Sequence, residues 1–203
     1  MHFEKVSYTQ FAKDVIKLYD GKISSDEYLY RMYENIQLPK RSTEGSAGYD
    51  FYIPFTIEIF KGTSIIIPTG IRAVDMPINT ALLLFPRSGQ GFKYRLSLAN
   101  TAGVIDSDYA FADNSGHIMV KLCYDGFNFT TEILDSSLID SKGIVRLSTY
   151  KGGPDPNAIP LDSFIVLNSG DRFCQGIFTN CIFTDDDESN NKRTGGFGST
   201  SNQ

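Results

Sequence analysis

Histidine is nearly absent from this sequence of 203 residues, which contains only His117 and His2, the latter near a start that we expect to be flexible. Catalysis would therefore have to rest on carboxylates, hydroxyls, basic side chains and a metal ion. Cysteine is also scarce: Cys123, Cys174 and Cys181 form an odd set without C-x-x-C spacing, which argues against a disulfide framework and a zinc site. We expect these thiols to be buried on strands, where free cysteine is commonly found.

The sequence also lacks long apolar runs and an excess of positive charge. No apolar run approaches the roughly 18 residues that a membrane-spanning helix needs, so no membrane span is predicted. Residues 1–6 show neither the basic nor the apolar region of a secretory signal, and a cytoplasmic location is expected. A formal net charge of −5 disfavours binding to a nucleic-acid backbone. Any nucleotide ligand is therefore expected to be a small molecule.

The first 37 residues show the pattern of two short helices. The string S-Y-T-Q at residues 7–10 has the form of a capping box, and a second capping signal lies at residues 24–27. Apolar stripes at helical spacing follow these signals, and they consist of Phe11, Val15 and Leu18, and of Leu29, Met32, Tyr33 and Ile36. Such stripes usually pack against the chain's own domain or a sister subunit, and a regulatory docking arm is the alternative.

From Lys40 onward, short runs of β-forming residues alternate with Gly, Pro, Asn and Asp. Candidate strands lie at residues 49–53, 55–60, 64–67, 70–74, 81–85, 96–99, 118–123, 163–167 and 173–182. Many short strands separated by turn residues predict an all-β fold, a jelly-roll-like β-barrel. Helical periodicity does not recur between the strands, which argues against a parallel α/β sheet.

Two segments interrupt the strand pattern. Residues 125–160 contain a G-G-P-D-P run and only weak strand signals, so we predict that they form an insertion into the β-barrel. Residues 185–203 begin acidic and end rich in glycine, and with so few apolar groups they cannot offset their ordering entropy alone. We therefore expect a helical extension at residues 1–37, a β-barrel at residues 38–184, and a flexible C-terminal lid at residues 185–203.

Five polar clusters lie at apparent strand ends or in loops, and each alone is explained by a turn, a solvated ion pair or a mobile tail. The clusters are A-G-Y-D at residues 47–50, P-R-S-G at 86–89, G-V-I-D-S-D-Y at 103–109, G-D-R-F-C-Q at 170–175 and G-G-F-G-S-T at 195–200. In this order they resemble the five signature motifs of the trimeric deoxyuridine triphosphatases (dUTPases). The resemblance covers roughly residues 38–200 apart from the insertion, and the third and fifth strings are long and specific.

The resemblance implies hydrolysis of dUTP to dUMP and pyrophosphate, which limits uracil incorporation into DNA and supplies dUMP for thymidylate synthesis. Asp106 matches the aspartate that orients and deprotonates the attacking water, a role typically worth about 10²- to 10⁴-fold in rate. Tyr109 would pack under the deoxyribose and leave no room for a 2′-hydroxyl group. Asn100 and the backbone of the following hairpin, including Gly103 and Ile105, would recognise the uracil edge.

The second, fourth and first motifs imply groups around the phosphates. Arg87, Ser88 and Gly89 would hold the phosphate chain through a guanidinium, a hydroxyl and backbone amides. Gln175 would contact the α-phosphate and the water, and Asp50 would lie near the metal or support the site. Mg²⁺ is the implied cofactor. We expect the phosphates and waters to hold it without a direct protein ligand, with Asp50 at most in its outer coordination shell.

The fifth motif would close over the nucleotide as a lid. Phe197 would stack on the uracil, an interaction typically worth about 1–3 kcal/mol. The phosphate-binding residues of the lid would be Arg193, Gly198, Ser199 and Thr200. Lys192 is the alternative cation, because many members of the family place their arginine at that earlier position. The family builds each active site from the motifs of three subunits, so a homotrimer is implied.

Besides the position of Arg193, the match to the family departs from the usual pattern after the third motif. After Tyr109 the family usually continues with Arg-Gly, whereas A-F-A-D-N-S-G stands here at residues 110–116, so the supporting ion pair of that arginine is absent or replaced. Asp108, without a firm role, is expected to make a structural hydrogen bond. Some bacteriophage members carry an insertion at a similar place and contact a repressor through it. A regulatory protein partner for residues 125–160 is thus an alternative to a subunit-contact or surface role.

Two rival functions remain at this point. A dCTP deaminase shares the fold and the trimer, although it resembles this sequence less in the segment that activates water. A nucleotide sensor or repressor-binding module could have kept the fold without catalysis. Ammonia release from dCTP would identify the first, and nucleotide binding without turnover would identify the second.

Overall fold

The computed structural model of the chain describes residues 1–124, 164–189, 193 and 195. These residues form short strands together with three helices. In chain order the elements are β1 (His2–Lys5), α1 (Tyr8–Leu18), α2 (Asp26–Glu34), β2 (Lys40–Arg41), β3 (Tyr49–Tyr52), β4 (Ile57–Phe60), β5 (Thr63–Pro68), β6 (Ile71–Val74), β7 (Thr80–Pro86), α3 (Ser88–Tyr94), β8 (Leu96–Leu98), β9 (Gly103–Asp106), a 3₁₀ turn (Tyr109–Phe111), β10 (Met119–Tyr124), β11 (Phe164–Leu167) and β12 (Arg172–Asn180).

The strands of the described residues form four hydrogen-bonded sheets. The largest sheet has the strand order β2-β3-β12-β7-β9, and a second has the order β5-β10-β8. The strands β1 and β6, and likewise β11 and β4, form two-stranded sheets. All the recorded strand pairs are antiparallel, which confirms the predicted class of short-stranded β protein. We refer to these strands together as the β-core.

Both predicted N-terminal helices are present, and their apolar stripes pack against the β-core. Phe11 and Val15 of α1 are fully buried, and Leu29 of α2 is buried beside them. These side chains belong to the same hydrophobic cluster as Phe51 of β3 and Leu82 of β7. Burying one such side chain typically contributes about 1.5–3 kcal/mol, so each helix is held mainly by packing. None of the helices in the described residues is long and apolar enough to cross a membrane.

The capping box predicted at the start of α1 is only half formed. The Ser7 hydroxyl accepts a hydrogen bond from the Gln10 N–H at 3.2 Å, as predicted. The Gln10 side chain, however, donates to Oδ2 of Asp14 at 2.9 Å instead of returning to Ser7. Asp14 is a buried carboxylate, so its need for hydrogen-bond donors outweighs that of the exposed helix start.

Three elements differ from the sequence prediction. Residues 2–5, expected to be flexible, form strand β1, which pairs with β6 so that His2 lies opposite Val74. Residues 103–106, expected in a loop, form the edge strand β9, whose alternating burial is too short to stand out in sequence. Residues 88–94, expected in a turn, form α3, which buries no residue and so lacks apolar periodicity. The division into regions 1–37, 38–184 and 185–203 stays a prediction.

The cysteines only partly follow their prediction. Cys174 on β12 is fully buried, and burial raises the pKa of its thiol above the ordinary value. Cys123 and Cys181 are only half-buried, which corrects the expectation that all three would be enclosed. Cys181 directly follows the end of β12, where the sheet no longer covers it. All three cysteines are free thiols.

Residues 125–163, which contain the predicted insertion, lie outside the described residues, but the positions that flank them are described. Tyr124 at the end of β10 pairs with Thr63, and its carbonyl accepts a hydrogen bond from the Gly62 N–H at 2.8 Å. Phe164 at the start of β11 pairs with Phe60. The chain therefore leaves and re-enters the β-core beside one turn, the connection between β4 and β5.

Candidate active site

Asp50 on β3 is the centre of a first polar cluster. Its side chain is buried, and Oδ1 lies 2.8 Å from Nε of Arg87. Its other oxygen, Oδ2, accepts a hydrogen bond from the Ser42 hydroxyl at 2.7 Å and from Nη1 of Arg172 at 3.3 Å. Two guanidinium groups thus compensate one buried carboxylate. We call Ser42, Asp50, Arg87, Arg172 and Gln175 the Asp50 cluster.

Strand pairing brings Gln175 into the Asp50 cluster. Gln175 on β12 is the register partner of Asp50 on one side and of Phe85 on the other. A Cβ atom at Gly48 would lie 2.6 Å from Oε1 of Gln175, so the glycine leaves room for this amide. Residues of the first, second and fourth predicted motifs therefore meet at one place in the chain.

Ser88 and Gly89 are exposed in the first turn of α3, directly after Arg87. Gln90 in the same helix donates from Nε2 to the Arg172 carbonyl at 3.3 Å. Its Oε1 is buried without a hydrogen-bond partner among the described residues. A buried orphan acceptor is unfavourable, so this oxygen provides a site for a donor such as water. The sequence analysis missed Gln90, as it did Ser42.

Asp106, Asp108, Tyr109 and Arg193 form a second cluster, which we call the Asp106 cluster. Asp106 ends β9 and Asp108 follows in the turn, and both side chains are about half exposed. The Arg193 guanidinium pairs with both carboxylates, through Nη2 to Oδ2 of Asp106 and through Nε to Oδ1 of Asp108 at 2.8 Å. It also lies 5.6 Å from the centre of the Tyr109 ring, within cation–π range. Arg193 therefore covers this cluster.

Tyr109 is itself buried, with 4% of its surface exposed. Its hydroxyl donates to the His117 carbonyl at 3.2 Å and accepts from Nδ2 of Asn114 at 3.0 Å. Burial raises the pKa of the phenol above its ordinary value, so Tyr109 is neutral at physiological pH. The ring is thus held firmly, and Arg193 covers the ring to which the resemblance assigns the deoxyribose.

The predicted uracil-binding residues lie on the turn into β9 and on that strand. Asn100 is exposed in this turn, where its carbonyl accepts a hydrogen bond from the Ala102 N–H at 2.6 Å. Gly103 is buried against Leu84, and the Ile105 side chain is buried in the core. Only the backbone of Ile105 is therefore available to a ligand. Because β9 is an edge strand among the described residues, one side of that backbone faces away from the sheet.

The two clusters lie at opposite ends of β7. Asp106 pairs with Ala81 near the start of that strand, whereas Gln175 pairs with Phe85 near its end. Four residues of strand separate these positions, which corresponds to roughly 13 Å along β7. The predicted base and the predicted phosphate-binding glutamine therefore do not meet within one chain.

The remaining predicted site residues lie in the C-terminal segment. Phe197, Gly198, Ser199, Thr200 and the alternative cation Lys192 lie outside the described residues, so their roles stay predictions. Within residues 1–124, 164–189, 193 and 195, no group of three or more His, Cys, Asp or Glu residues is arranged to hold a metal ion.

Comparison with known proteins identifies the family. A family model described as dUTPase matches residues 34–132. The deoxyuridine 5′-triphosphate nucleotidohydrolase of Lactococcus lactis subsp. lactis is 35% identical over 173 residues, which are 83% of this chain and 91% of that protein. That of Corynebacterium diphtheriae is 38% identical over 105 residues, which are 52% of this chain and 64% of that protein.

Solved structures agree with this result. The dUTPase from Streptococcus mutans has a TM-score of 0.56 and 27% identity, with coverage of 91% of this chain and 99% of that one. A dUTPase from phage phi11 of S. aureus has a TM-score of 0.52 and 23% identity, with coverage of 79% and 94%, and supports the fold alone. The predicted jelly-roll-like β fold is thereby confirmed, and the chain belongs to the dUTPase family.

Proposed function

We propose that this chain hydrolyses dUTP to dUMP and pyrophosphate, and that Asp106 activates the attacking water. Family membership supports the reaction. The position of Asp106 supports its role, because the residue ends a paired strand and its carboxylate reaches solvent beside the buried Tyr109. A carboxylate held on a rigid element can orient a water molecule and accept its proton. The product dUMP would supply thymidylate synthesis, and loss of dUTP would limit uracil in DNA.

The nucleotide would extend from the Asp106 cluster of one copy of the chain to the Asp50 cluster of another. Asn100 and the β9 backbone would recognise uracil, and the Tyr109 ring would exclude a 2′-hydroxyl group from the sugar position. The Asp50 cluster offers the phosphates the guanidinium of Arg87 and the amide of Gln175, next to the exposed Ser88 hydroxyl. Arg87 is paired with Asp50, and this ion pair would keep the guanidinium oriented toward the phosphates.

Magnesium fits this arrangement best as an ion carried by the substrate. A phage phi11 dUTPase mutant is described with a structural Mg(II) ion. In this chain Asp50 is paired with Arg87 and Arg172, and the two carboxylates of the Asp106 cluster are paired with Arg193. Mg²⁺ also retains water readily and favours phosphate oxygens. Its contribution would be to neutralise phosphate charge, while Asp50 would accept a hydrogen bond from its bound water.

A homotrimer with shared active sites would bring the two clusters together. The separation of Asp106 from Gln175 along β7 supports this arrangement, since another copy has to supply the missing half. Large apolar side chains are also exposed in β9 and beside it: Val104, Ile78 and Ile182, the last at 97%. The Ser107 hydroxyl just after β9 donates to the Ile78 carbonyl, and the Cys181 N–H donates to the carbonyl of the neighbouring Asn79. Exposed apolar residues grouped on one surface are typical of subunit contacts.

The C-terminal segment would act as the lid of a neighbouring site. Phe197 would stack on uracil, and Gly198, Ser199 and Thr200 would contact the phosphates. Arg193, which pairs with the carboxylates of Asp106 and Asp108, would exchange these partners for phosphate oxygens. Release of Asp106 from the guanidinium would then free the carboxylate to accept a proton.

A regulatory role of residues 125–160 is a second proposal. One similar solved structure is that of the dUTPase from Staphylococcus bacteriophage 80alpha. Its description states that phage dUTPases control transfer of virulence genes by a proto-oncogenic G protein-like mechanism. That likeness, at 17% identity, concerns the fold. A contact with a regulatory protein and a contact between subunits are both compatible with an insertion that is anchored beside one turn of the β-core.

An assay with four nucleotides tests the proposed reaction. Purified protein is incubated with dUTP, dTTP, dCTP or UTP in Mg²⁺, and the products are identified, with a chelator as the control. We expect pyrophosphate release from dUTP and little turnover of the other three nucleotides. Ammonia from dCTP would instead identify a deaminase. Binding of dUTP without turnover would support a nucleotide sensor.

The Gly48→Ala substitution tests the placement of Gln175. The added Cβ would lie 2.6 Å from the flexible end of the Gln175 side chain, which can move away at little cost to the fold. We expect kcat for dUTP to fall about tenfold because the displaced amide no longer meets the α-phosphate. The melting temperature should change by no more than about 2 °C. An unchanged kcat would show that the amide is not needed where the structure places it.

A further inference from the structure

His117 is fully buried, and both of its ring nitrogens have partners. The backbone N–H of Gly70 donates to Nε2 at 2.8 Å, so Nε2 must be the unprotonated nitrogen. The proton therefore lies on Nδ1, which is 2.7 Å from Oδ2 of Asp14 and donates to it. The imidazole is thus neutral, and its tautomer and orientation are determined by two hydrogen bonds.

The backbone carbonyl of His117 also holds Tyr109, the tyrosine of the Asp106 cluster. The His117 carbonyl accepts one hydrogen bond from the Tyr109 hydroxyl at 3.2 Å and another from Nδ2 of Asn114 at 2.9 Å. Asn114 also donates to the Tyr109 oxygen and accepts from the Gly116 N–H. Gly116 has a φ of +74°, and a Cβ there would lie 2.7 Å from Cα of Ala110, so this turn is tightly closed.

We propose that Asp14 and His117 are positioning residues for Tyr109, and that helix α1 thereby sets the fit of the sugar in the active site. The proposal rests on the proposed function, in which the Tyr109 ring excludes ribonucleotides. Two hydrogen bonds link Asp14 to Tyr109 through His117. The Asp14 carboxylate accepts one from the His117 imidazole, and the His117 carbonyl accepts the other from the Tyr109 phenol. Asn114 closes the chain within residues 110–116, where this sequence lacks the Arg-Gly that usually follows the tyrosine in the family.

The surroundings of Asp14 fit a dedicated hydrogen-bonding role. Burial alone would raise the pKa of this carboxyl, but hydrogen bonds from His117 and Gln10 outweigh it and hold the pKa below the ordinary value. The Phe11 ring, one turn earlier in α1, lies 6.0 Å from the His117 ring. Asp14 is the only acidic residue of α1, and it faces the β-core between two buried apolar neighbours, Phe11 and Val15.

The backbone hydrogen bonds of Ile118 limit how far His117 can move when Asp14 is replaced. The N–H of Ile118 donates to the Ile71 carbonyl at 2.9 Å, and the Ile118 carbonyl accepts hydrogen bonds from Thr69. We therefore expect the strand to stay folded when Asp14 is lost, and the His117 carbonyl to shift by only a fraction of an ångström. Such a shift alters the fit of the Tyr109 ring without removing the ring. Sugar discrimination should weaken while hydrolysis of dUTP continues.

The test is the ratio of kcat/KM for dUTP to kcat/KM for UTP in the full-length chain. A loss of folded protein lowers both constants equally and leaves the ratio unchanged, whereas a displaced ring lets the ribose enter. We expect Asp14→Ala to lower the ratio at least about fivefold. Asp14→Asn, which keeps an oxygen to accept the Nδ1 proton, should retain the ratio. Assays are run at a temperature where thermal melts show every variant to be folded.

Val15→Ala is the matched control. It shortens a buried apolar side chain of the same helix and leaves the hydrogen bond between Asp14 and His117 intact, so it should lower the melting temperature and leave the ratio unchanged. If Asp14→Ala does not fold, Asn114→Ala removes the other hydrogen bonds to the same carbonyl and phenol, and the same fall is expected. An unchanged ratio in a folded Asp14→Ala or Asn114→Ala protein overturns the proposal. Failure of the unsubstituted chain to hydrolyse dUTP would instead overturn the proposed function.

Discussion

The Asp106→Asn variant is expected to hydrolyse dUTP at least about a hundredfold more slowly than the unsubstituted chain, with nucleotide binding largely intact. Asparagine keeps the shape of the side chain at the end of β9 but cannot accept the proton of the attacking water. The measurement is kcat from initial rates, together with the dissociation constant for a non-hydrolysable dUTP analogue. A variant that turns over within a few-fold of the parent would remove Asp106 from the role of base.

Asp108→Asn is the matched control for this experiment. Both carboxylates bind the Arg193 guanidinium, and both side chains are about half exposed. If the loss in Asp106→Asn came only from a broken ion pair with Arg193, the two variants would lose similar activity. We expect Asp108→Asn to lose no more than a few-fold, because it weakens the same ion-pair network without removing the base.

Mixed trimers of two impaired variants are expected to regain about a third of the activity of the unsubstituted enzyme. If each site takes Asp106 from one subunit and Gln175 from a neighbour, Asp106→Asn and Gln175→Ala chains can together form intact sites. A mixed trimer has two chains of one variant and one of the other, so about one of its three sites receives both intact residues. Asp106→Asn alone should stay near the background rate and Gln175→Ala alone at no more than about a tenth of the parent rate, so the regained activity exceeds that of either variant.

The mixing experiment requires subunit exchange, which co-expression with two different affinity tags provides. Tandem purification isolates the mixed trimers, and simple mixing of the two folded variants without exchange is the control. If Asp106 and Gln175 served the same site within one chain, every chain of the mixture would carry a defect, and mixed trimers would remain inactive. That outcome would contradict the shared site, although the family assignment would stand.

Local sequence patterns were sufficient to predict the helices and most strands. Phe11 and Val15 stand at helical spacing, as do Leu29 and Met32, and all four are buried on the predicted faces. These signals involve residues within one or two turns of each other, so they can be recognised without knowledge of the fold. The two predicted helices and the antiparallel β class were therefore accessible from the sequence.

The contacts inside the two clusters could not be predicted in this way. Arg172 lies 122 residues from Asp50, and the two meet only through the register of β12 on β3. Likewise, Asp14 lies 103 residues from His117. Strand register depends on the packing of whole sheets, and a short string carries no record of its partner. The motifs therefore predicted a set of candidate site residues, whereas the structure was needed to show which of them touch.

The single turn that anchors both ends of residues 125–163 has a consequence for the evolution of chain length. Phe60 and Thr63 belong to one turn, so their partners Phe164 and Tyr124 lie within roughly 18 Å of each other. A linker of about six residues spans that distance. The entropic cost of a longer closure rises only with the logarithm of its length. We therefore expect that residues can be gained, deleted or exchanged for a grafted reporter at this point without altering the register of β10 on β5 or of β11 on β4.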